Sequence, residues 1–479
     1  YIDYVNGSDS NNGTSTSTPW QHCPGDANAS GNAASYAPAP GDEFIFKGGV
    51  VYYGQIGVNW SGASGSPIVY DGNSAGTFGT GKAIIDGGNS NQYGFVASQS
   101  GVSYITINNF EIRNIATTSG LGISFYDYNS GHYFNNIKIT NNYVHNVGYW
   151  ENDGSTYPGG VCIIVGASQT GVDIENNEVT KCGGSGVAIE AVSNSVVANN
   201  NIHDYITWGI DVTGNDDAAP TANNDIRGNQ IHDIYQYDTG FYGTTGEPHT
   251  DFIMMKQGPS TAPVPDGNII EQNLFYNDYS FANYGGTAMI FLDGGGGGST
   301  NTVIRNNVMI NPHSYYTIET GGPETQIYNN TVYAPRASSL IIYNDSGLAV
   351  KNNILIGGCY MFEDTNMGSI SSIDYNLCES GGSTVASETG GTSWTFPQWQ
   401  SMGYDTHGIF ESSISSIGFT DTSEYPTACE SMDLKPSAGS PATGAGANLS
   451  ASFEADVVGI KRPPVMKWTV GGRQAPFAH

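Results

Sequence analysis

Along most of the chain, apolar residues alternate with polar ones in short stretches that break at Gly or Asn. A period of two is the signature of a half-buried β-strand, and no stretch repeats at the spacing of an amphipathic helix. The stretches come in pairs. The first of each pair straddles an asparagine: IKITNNYVHNV (137–147), VDIENNEVTKC (172–182), VVANNNIHDY (196–205), DIRGNQIHDI (225–234), IIEQNLFYND (269–278), VIRNNVMINP (303–312), QIYNNTVYAP (326–335) and VKNNILIGG (350–358). The aligned asparagines are Asn142, Asn177, Asn200, Asn229, Asn273, Asn307, Asn330, Asn353 and Asn376, about 23 residues apart where nothing is inserted. That period predicts a solenoid, in which stacked coils bury a core that no single coil closes. The second stretch follows as GVCIIVG (160–166), GVAIEAV (186–192), GIDVTGN (209–215), AMIFLDG (288–294), YTIETGG (316–322) and LIIYNDS (340–346). An asparagine recurring at one turn predicts an amide ladder running from coil to coil.

This pattern resembles the right-handed parallel β-helix proteins of the pectin-lyase-like superfamily. The opening YIDYVNGSDSNNGTSTSTPW (1–20), with PGDEFIFKGGVVYYGQI (40–56) and SPIVYDGN (66–73), resembles the cap and first coils of secreted bacterial members. GSPATGAGANLSASFEADVVGIKRPP (439–464) resembles their closing segment. The resemblance implies an all-β protein, a right-handed parallel β-helix with capping segments at both ends. It divides one domain over 1–479 into a cap and first strand (1–43), coils (44–380), and C-terminal coils with a closing segment (381–479). It does not imply a substrate, because the superfamily hosts lyases, hydrolases, epimerases and phage adhesins.

Composition narrows the partners. The 479 residues carry a net charge of −29, a field that repels nucleic acid and anionic membrane surfaces. No apolar run reaches the ~20 residues of a membrane helix. The chain opens at Tyr1 rather than Met, which fits a processed secretory product. Six cysteines without a CxxC pair point away from zinc and toward disulfides in an oxidising compartment, with the connectivity open. The expectation is a secreted protein acting on an extracellular polysaccharide. Its oligomeric state is not legible.

Departures from the basic period cluster in the middle coils, at 147–159, 234–248 and 279–286 after the asparagine stretch, and at 214–224, 257–267 and 294–301 after the second. In a solenoid such insertions map to loops on particular faces, so they are expected to wall a groove floored by the second stretches of coils 160–322. Tyr149, Trp150, Tyr235, Tyr237 and Tyr242 lie in these loops as amphipathic rings able to stack on sugars.

Alternation directs Glu190, Asp211 and Glu319 onto the floor, Glu319 as a substrate contact. Carboxylates on neighbouring coils, about 4.8 Å apart, suit a glycosidase acid with its base or nucleophile. The densest titratable set is GEPHTDFIMMKQG (246–258), with His249, Asp251 and Lys256; Asp293 ends the next floor stretch. Asp251 and Asp293 are therefore expected to face one another as acid and base, if the register turns Asp251 outward. His249 would orient the acid, and Lys256 would neutralise a carboxylate.

YGTTGEPHTDF (242–252) resembles the Tyr-Gly…Asp-Pro-His stretch of β-helix alginate epimerases and lyases, which implies His249 and Tyr242 as base and acid at the sugar C5. The pectate-lyase-like families use Ca²⁺ with a Lys or Arg base. Here Asp216 and Asp217 are the candidate metal ligands, without EF-hand spacing. A hydrolase requires no cofactor. The sequence reading favours hydrolysis over a calcium-dependent lyase or C5-epimerase, with a non-catalytic glycan-binding β-helix as the third alternative.

Overall fold

The computed structural model describes all residues except 98–100, 117–118, 128–131, 149–158, 169, 216–219, 235–249, 259, 279–286, 294–297, 312–315, 344, 364–366, 465 and 475–479. As the repeat predicts, the fold is a right-handed parallel β-helix. The described residues form two compact units, one of Tyr1–Asn224 with Thr261–Pro263 and one of the remaining described residues from Asp225 onward.

In the first unit, the strands leading into the asparagine turns pair in parallel in chain order: Glu43–Ile45, Ile68–Asp71, Ser103–Asn108, Asn135–Thr140, Val172–Glu175 and Val196–Ala198. The second unit repeats the arrangement with Asp225–Arg227, Ile269–Glu271, Val303–Arg305, Gln326–Tyr328, Ala349–Lys351 and Ser372–Asp374. Each coil then turns into a second strand and, beyond a loop, into a floor strand such as Val187–Val192 or Tyr316–Gly321.

The turn explains the doubled asparagines. The first of each NN pair takes a left-handed backbone, with φ of 58° at Asn141 and Asn176, 53° at Asn306 and 52° at Asn329, a conformation Asn tolerates better than most residues. The second turns its amide inward. In the second unit, Asn273 Oδ1 accepts the Asn229 N–H at 2.9 Å, and Asn307, Asn330, Asn353 and Asn376 extend the series at 2.9 to 3.0 Å. Each amide nitrogen also donates to a backbone carbonyl, as Asn330 Nδ2 does to Ile304 O at 2.9 Å. These buried bonds satisfy backbone groups that a sharp turn would otherwise strand away from water. The ladder ends on Asp405, whose Oδ1 accepts the Asn376 N–H at 3.1 Å. The first unit carries the same ladder through Asn142, Asn177 and Asn200.

Inward rows of Ile, Val and Phe fill the core; Ile105, Ile137, Val172, Ile139 and Ile174 are all fully buried. In the second unit, Ile417, Cys429, Leu434, Ala442 and Val470 of the C-terminal segment pack on Tyr276, Val308, Ile310, Tyr333 and Ile354. Disulfides join Cys162 to Cys182 and Cys359 to Cys378, while Cys23 and Cys429 are buried thiols. Among the described residues, no helix is long and apolar enough to cross a membrane.

Candidate active site

The register of the second unit's floor strands decides which side chains meet. Ile253, Ile290, Ile318 and Leu340 align as a fully buried inward row. The neighbouring outward rung is therefore Met254, Phe291, Glu319, Ile341 and Met361. Continuing the pairing two residues along each strand gives the next outward rung: Lys256, Asp293, Gly321, Tyr343 and Glu363. Glu319 thus stands among apolar neighbours on its own rung, Phe291 and Ile341 being only 7% and 1% exposed. Diagonally across on the adjacent strand lies Asp293, while Glu363 stands on the next rung two coils to the other side, beyond Tyr343.

These surroundings act on Glu319 in one direction. Burial disfavours its charged form, and the negative charges of Glu363 and Asp293 add to that, so its carboxyl is pushed up to about 7. A carboxylic acid that keeps its proton near neutrality, with a carboxylate diagonally across on the adjacent coil, is the arrangement general acid catalysis uses. Lys256, next to Asp293 in the register, brings a cation to the same rung.

The expected pairing of Asp251 with Asp293 is corrected by this register. Asp251 pairs with Ala288, five residues before Asp293, which sets the two about 16 Å apart along the strands. Asp251 also shares the inward row of Ile253 and Met255. It is fully buried, and its Oδ1 accepts the Ala288 N–H at 2.9 Å. Its position is that of a structural acceptor, not of a group reaching a groove.

The first unit places Glu190 and Asp211 on outward rungs of adjacent floor strands, as alternation predicts. Asp211 pairs with Ala188, and Glu190 with Thr213, so the two carboxylates are diagonal neighbours. Two neutral donors reach them. Thr213 Oγ1 donates to Asp211, and Asn215 Nδ2 reaches both Glu190 Oε2 at 3.3 Å and the Tyr126 hydroxyl at 2.9 Å. The Tyr126 ring lies over Gly166 so closely that a Cβ there would come within 2.3 Å of it. Tyr126, Ile164 and Ala188 form a small apolar cluster on this floor.

Of the other expected site residues, Tyr149, Trp150, Tyr235, Tyr237, Tyr242, His249, Asp216 and Asp217 lie outside the described residues. Among the described residues, no three His, Cys, Asp or Glu side chains are grouped so as to hold a metal ion. The histidines three residues after the ladder asparagines serve local pairing: His203 and His232 each bond the following aspartate at 2.7 Å. Glu363 was missed by the sequence reading, which ended the floor at 322; the alternation of CYMFED beyond Tyr343 carries the signal that finds it.

Residues 69–252 match the family model described as right handed beta helix region. Among solved structures, the complex of XylC with xylose superposes with a TM-score of 0.52 at 12% identity, covering 98% of this chain and 97% of that one. The pectate lyase Pel9A gives a TM-score of 0.47 at 16% identity over 99% and 96% of the two chains. A mannuronic acid specific polysaccharide family 6 lyase from human gut microbiota gives 0.38 at 14% identity over 75% and 73%. No curated protein sequence matches this chain. At these identities the likeness concerns the fold.

Proposed function

We propose that the chain is a polysaccharide-cleaving glycoside hydrolase with Glu319 as its general acid and Asp293 as its base. The observation that carries this reading is the raised proton affinity of Glu319 on an outward floor rung, caused by burial and by Glu363 and Asp293. Protonated Glu319 donates to the glycosidic oxygen as the bond to the anomeric carbon breaks. Water attacks that carbon and gives its proton to Asp293, leaving a reducing end and a free hydroxyl. Diagonal neighbours on adjacent strands are about 7–8 Å apart, a spacing that leaves room for the water of an inverting mechanism. Glu363 sustains the proton on Glu319, and Lys256 balances the charge that Asp293 carries. The two disulfides suit the oxidising compartment in which an extracellular polysaccharide is met.

Lys256 beside Asp293 also favours a second reading, elimination from a uronate with Lys256 as base. A panel of neutral and uronate-bearing polysaccharides separates the two, followed for reducing ends and for the ultraviolet absorbance of unsaturated ends, with and without EDTA. Reducing ends without that absorbance, abolished in Glu319→Gln, are expected. Unsaturated ends would transfer the site to a lyase, and their loss with EDTA would make it a metal-dependent one.

A further inference from the structure

Apart from its floor, the first unit has a cavity of about 480 Å³ on the side of the asparagine turns. Its wall is built by successive turns, and the residues that matter are Lys82, Asn109, Asn141, Asn176, Tyr143 and Glu178. The left-handed backbones at Asn109, Asn141 and Asn176, with φ of 64°, 58° and 58°, place one amide per coil along the cavity. The Lys82 ammonium fastens the turns together: it donates to Asn109 Oδ1 at 2.9 Å and to the Asn141 carbonyl. Two of its three protons are so engaged, and the third remains for another acceptor. Tyr143 and Glu178 are register partners on the adjoining strands, and the Tyr143 ring stacks on His145 at 4.2 Å.

The chemistry of this lining selects a ligand class. The Asn109 amide is spent within the wall, its Oδ1 on Lys82 and its Nδ2 on Gly72 O at 2.9 Å, and Asn141 Nδ2 bonds Asn108 Oδ1 at 2.9 Å. The cavity therefore presents Asn141 Oδ1, the Asn176 amide, the third Lys82 proton and Glu178, the mixed donors and acceptors that sugar hydroxyls meet. Glu178 and Lys82 oppose one another in charge, so the cavity offers no net cation to an anionic polymer in a chain of net charge −29. Tyr143 adds an aromatic edge. Burial pushes the Lys82 ammonium down, against the pull of Glu178, Asp71 and Glu111, which favours a ligand acceptor that replaces lost water.

We propose that this cavity is a second carbohydrate-binding site, for neutral glycosyl residues, distinct from the floor of the same unit. It takes the saccharide class from the proposed hydrolase, but its binding stands apart from turnover. The test is titration calorimetry on the full chain in a Glu319→Gln background, with xylohexaose, cellohexaose, mannohexaose and hexagalacturonate as probes. The variant pair is Asn176→Gly with Glu178→Ala. Both positions are exposed, and Gly keeps the left-handed turn, so folding is preserved. At least one neutral hexamer is expected to bind, with one site per chain lost or weakened at least tenfold in the variant. The same variant, with Glu319 intact, should hydrolyse short soluble substrates at the original rate. Unchanged binding in the variant, preference for hexagalacturonate, or failure of all three neutral hexamers to bind would overturn the proposal. An active Glu319→Gln enzyme would instead overturn the hydrolase assignment and leave the cavity result to be read alone.

Discussion

The floors of the two units use one construction and set different neighbours around their glutamates. In each, alternation turns a glutamate outward from a floor strand, with an aspartate diagonally across on the adjacent strand. In the first unit, hydroxyl and amide donors from Thr213 and Asn215 reach the two carboxylates, which also lie diagonal to one another, and the Tyr126 ring covers Gly166, the register partner of Glu190. In the second, Glu319 is met by apolar Phe291 and Ile341 and by the charges of Glu363 and Asp293. Donors favour a charged carboxylate, whereas burial and like charges favour a protonated one. Rung position therefore does not make an acid. The neighbours on the adjacent coils do.

The strongest way to break this contrast is to remove one glutamate from each floor. Glu319→Gln should lower kcat about 10³-fold, some 4 kcal/mol of barrier, while Glu190→Gln should cost less than about tenfold. Equal losses in steady-state assays would erase the distinction between the floors. The pH profile sharpens it: a general acid must hold its proton, so kcat should fall above about pH 7, and that limb should vanish in Glu319→Gln.

Each unit also has one disulfide, closing loops of similar length with separations of 20 and 19 residues. Replacing either cysteine pair by serine should cost about 3 kcal/mol in denaturant unfolding. If the catalytic centre belongs to the second floor, the Cys162/Cys182 variant should keep its kcat under native conditions. Asp251→Ala isolates a structural carboxylate. It strands the buried Ala288 N–H, so about 1–3 kcal/mol of stability should be lost with kcat changed only severalfold; a loss matching Glu319→Gln would return Asp251 to the catalytic set.

The smallest effect concerns stability and pH. The folded-state pKa of Glu319 lies above the unfolded value near 4.5, so its contribution is fully present below that value and is lost as pH rises through about 7. Glu319→Gln should accordingly raise Tm relative to the parent at pH 8 and leave it nearly unchanged at pH 4. The reverse order in thermal melts would deny that burial sets the proton affinity.

Much of this was written in local pattern. The asparagine period, the alternation that turns Glu190, Asp211 and Glu319 outward, and the β-helix itself follow from the two-residue repeat and from the amide's ability to bond its own turn and the next coil. The pairing of Asp251 with Asp293 failed because strand register is a relation between coils, and a choice of row reverses every side chain. Asp405 at the end of the ladder lies outside the quoted repeats and becomes legible only when coils are stacked; alternation alone turns Glu363 outward, but that its charge reaches Glu319 from two coils away is a relation between coils. Neighbours along the chain are enough to specify the coil, its turn and which residues each floor strand turns outward. What pushes the Glu319 carboxyl up is set by stacking, because Phe291, Asp293, Ile341 and Glu363 are all carried by other coils.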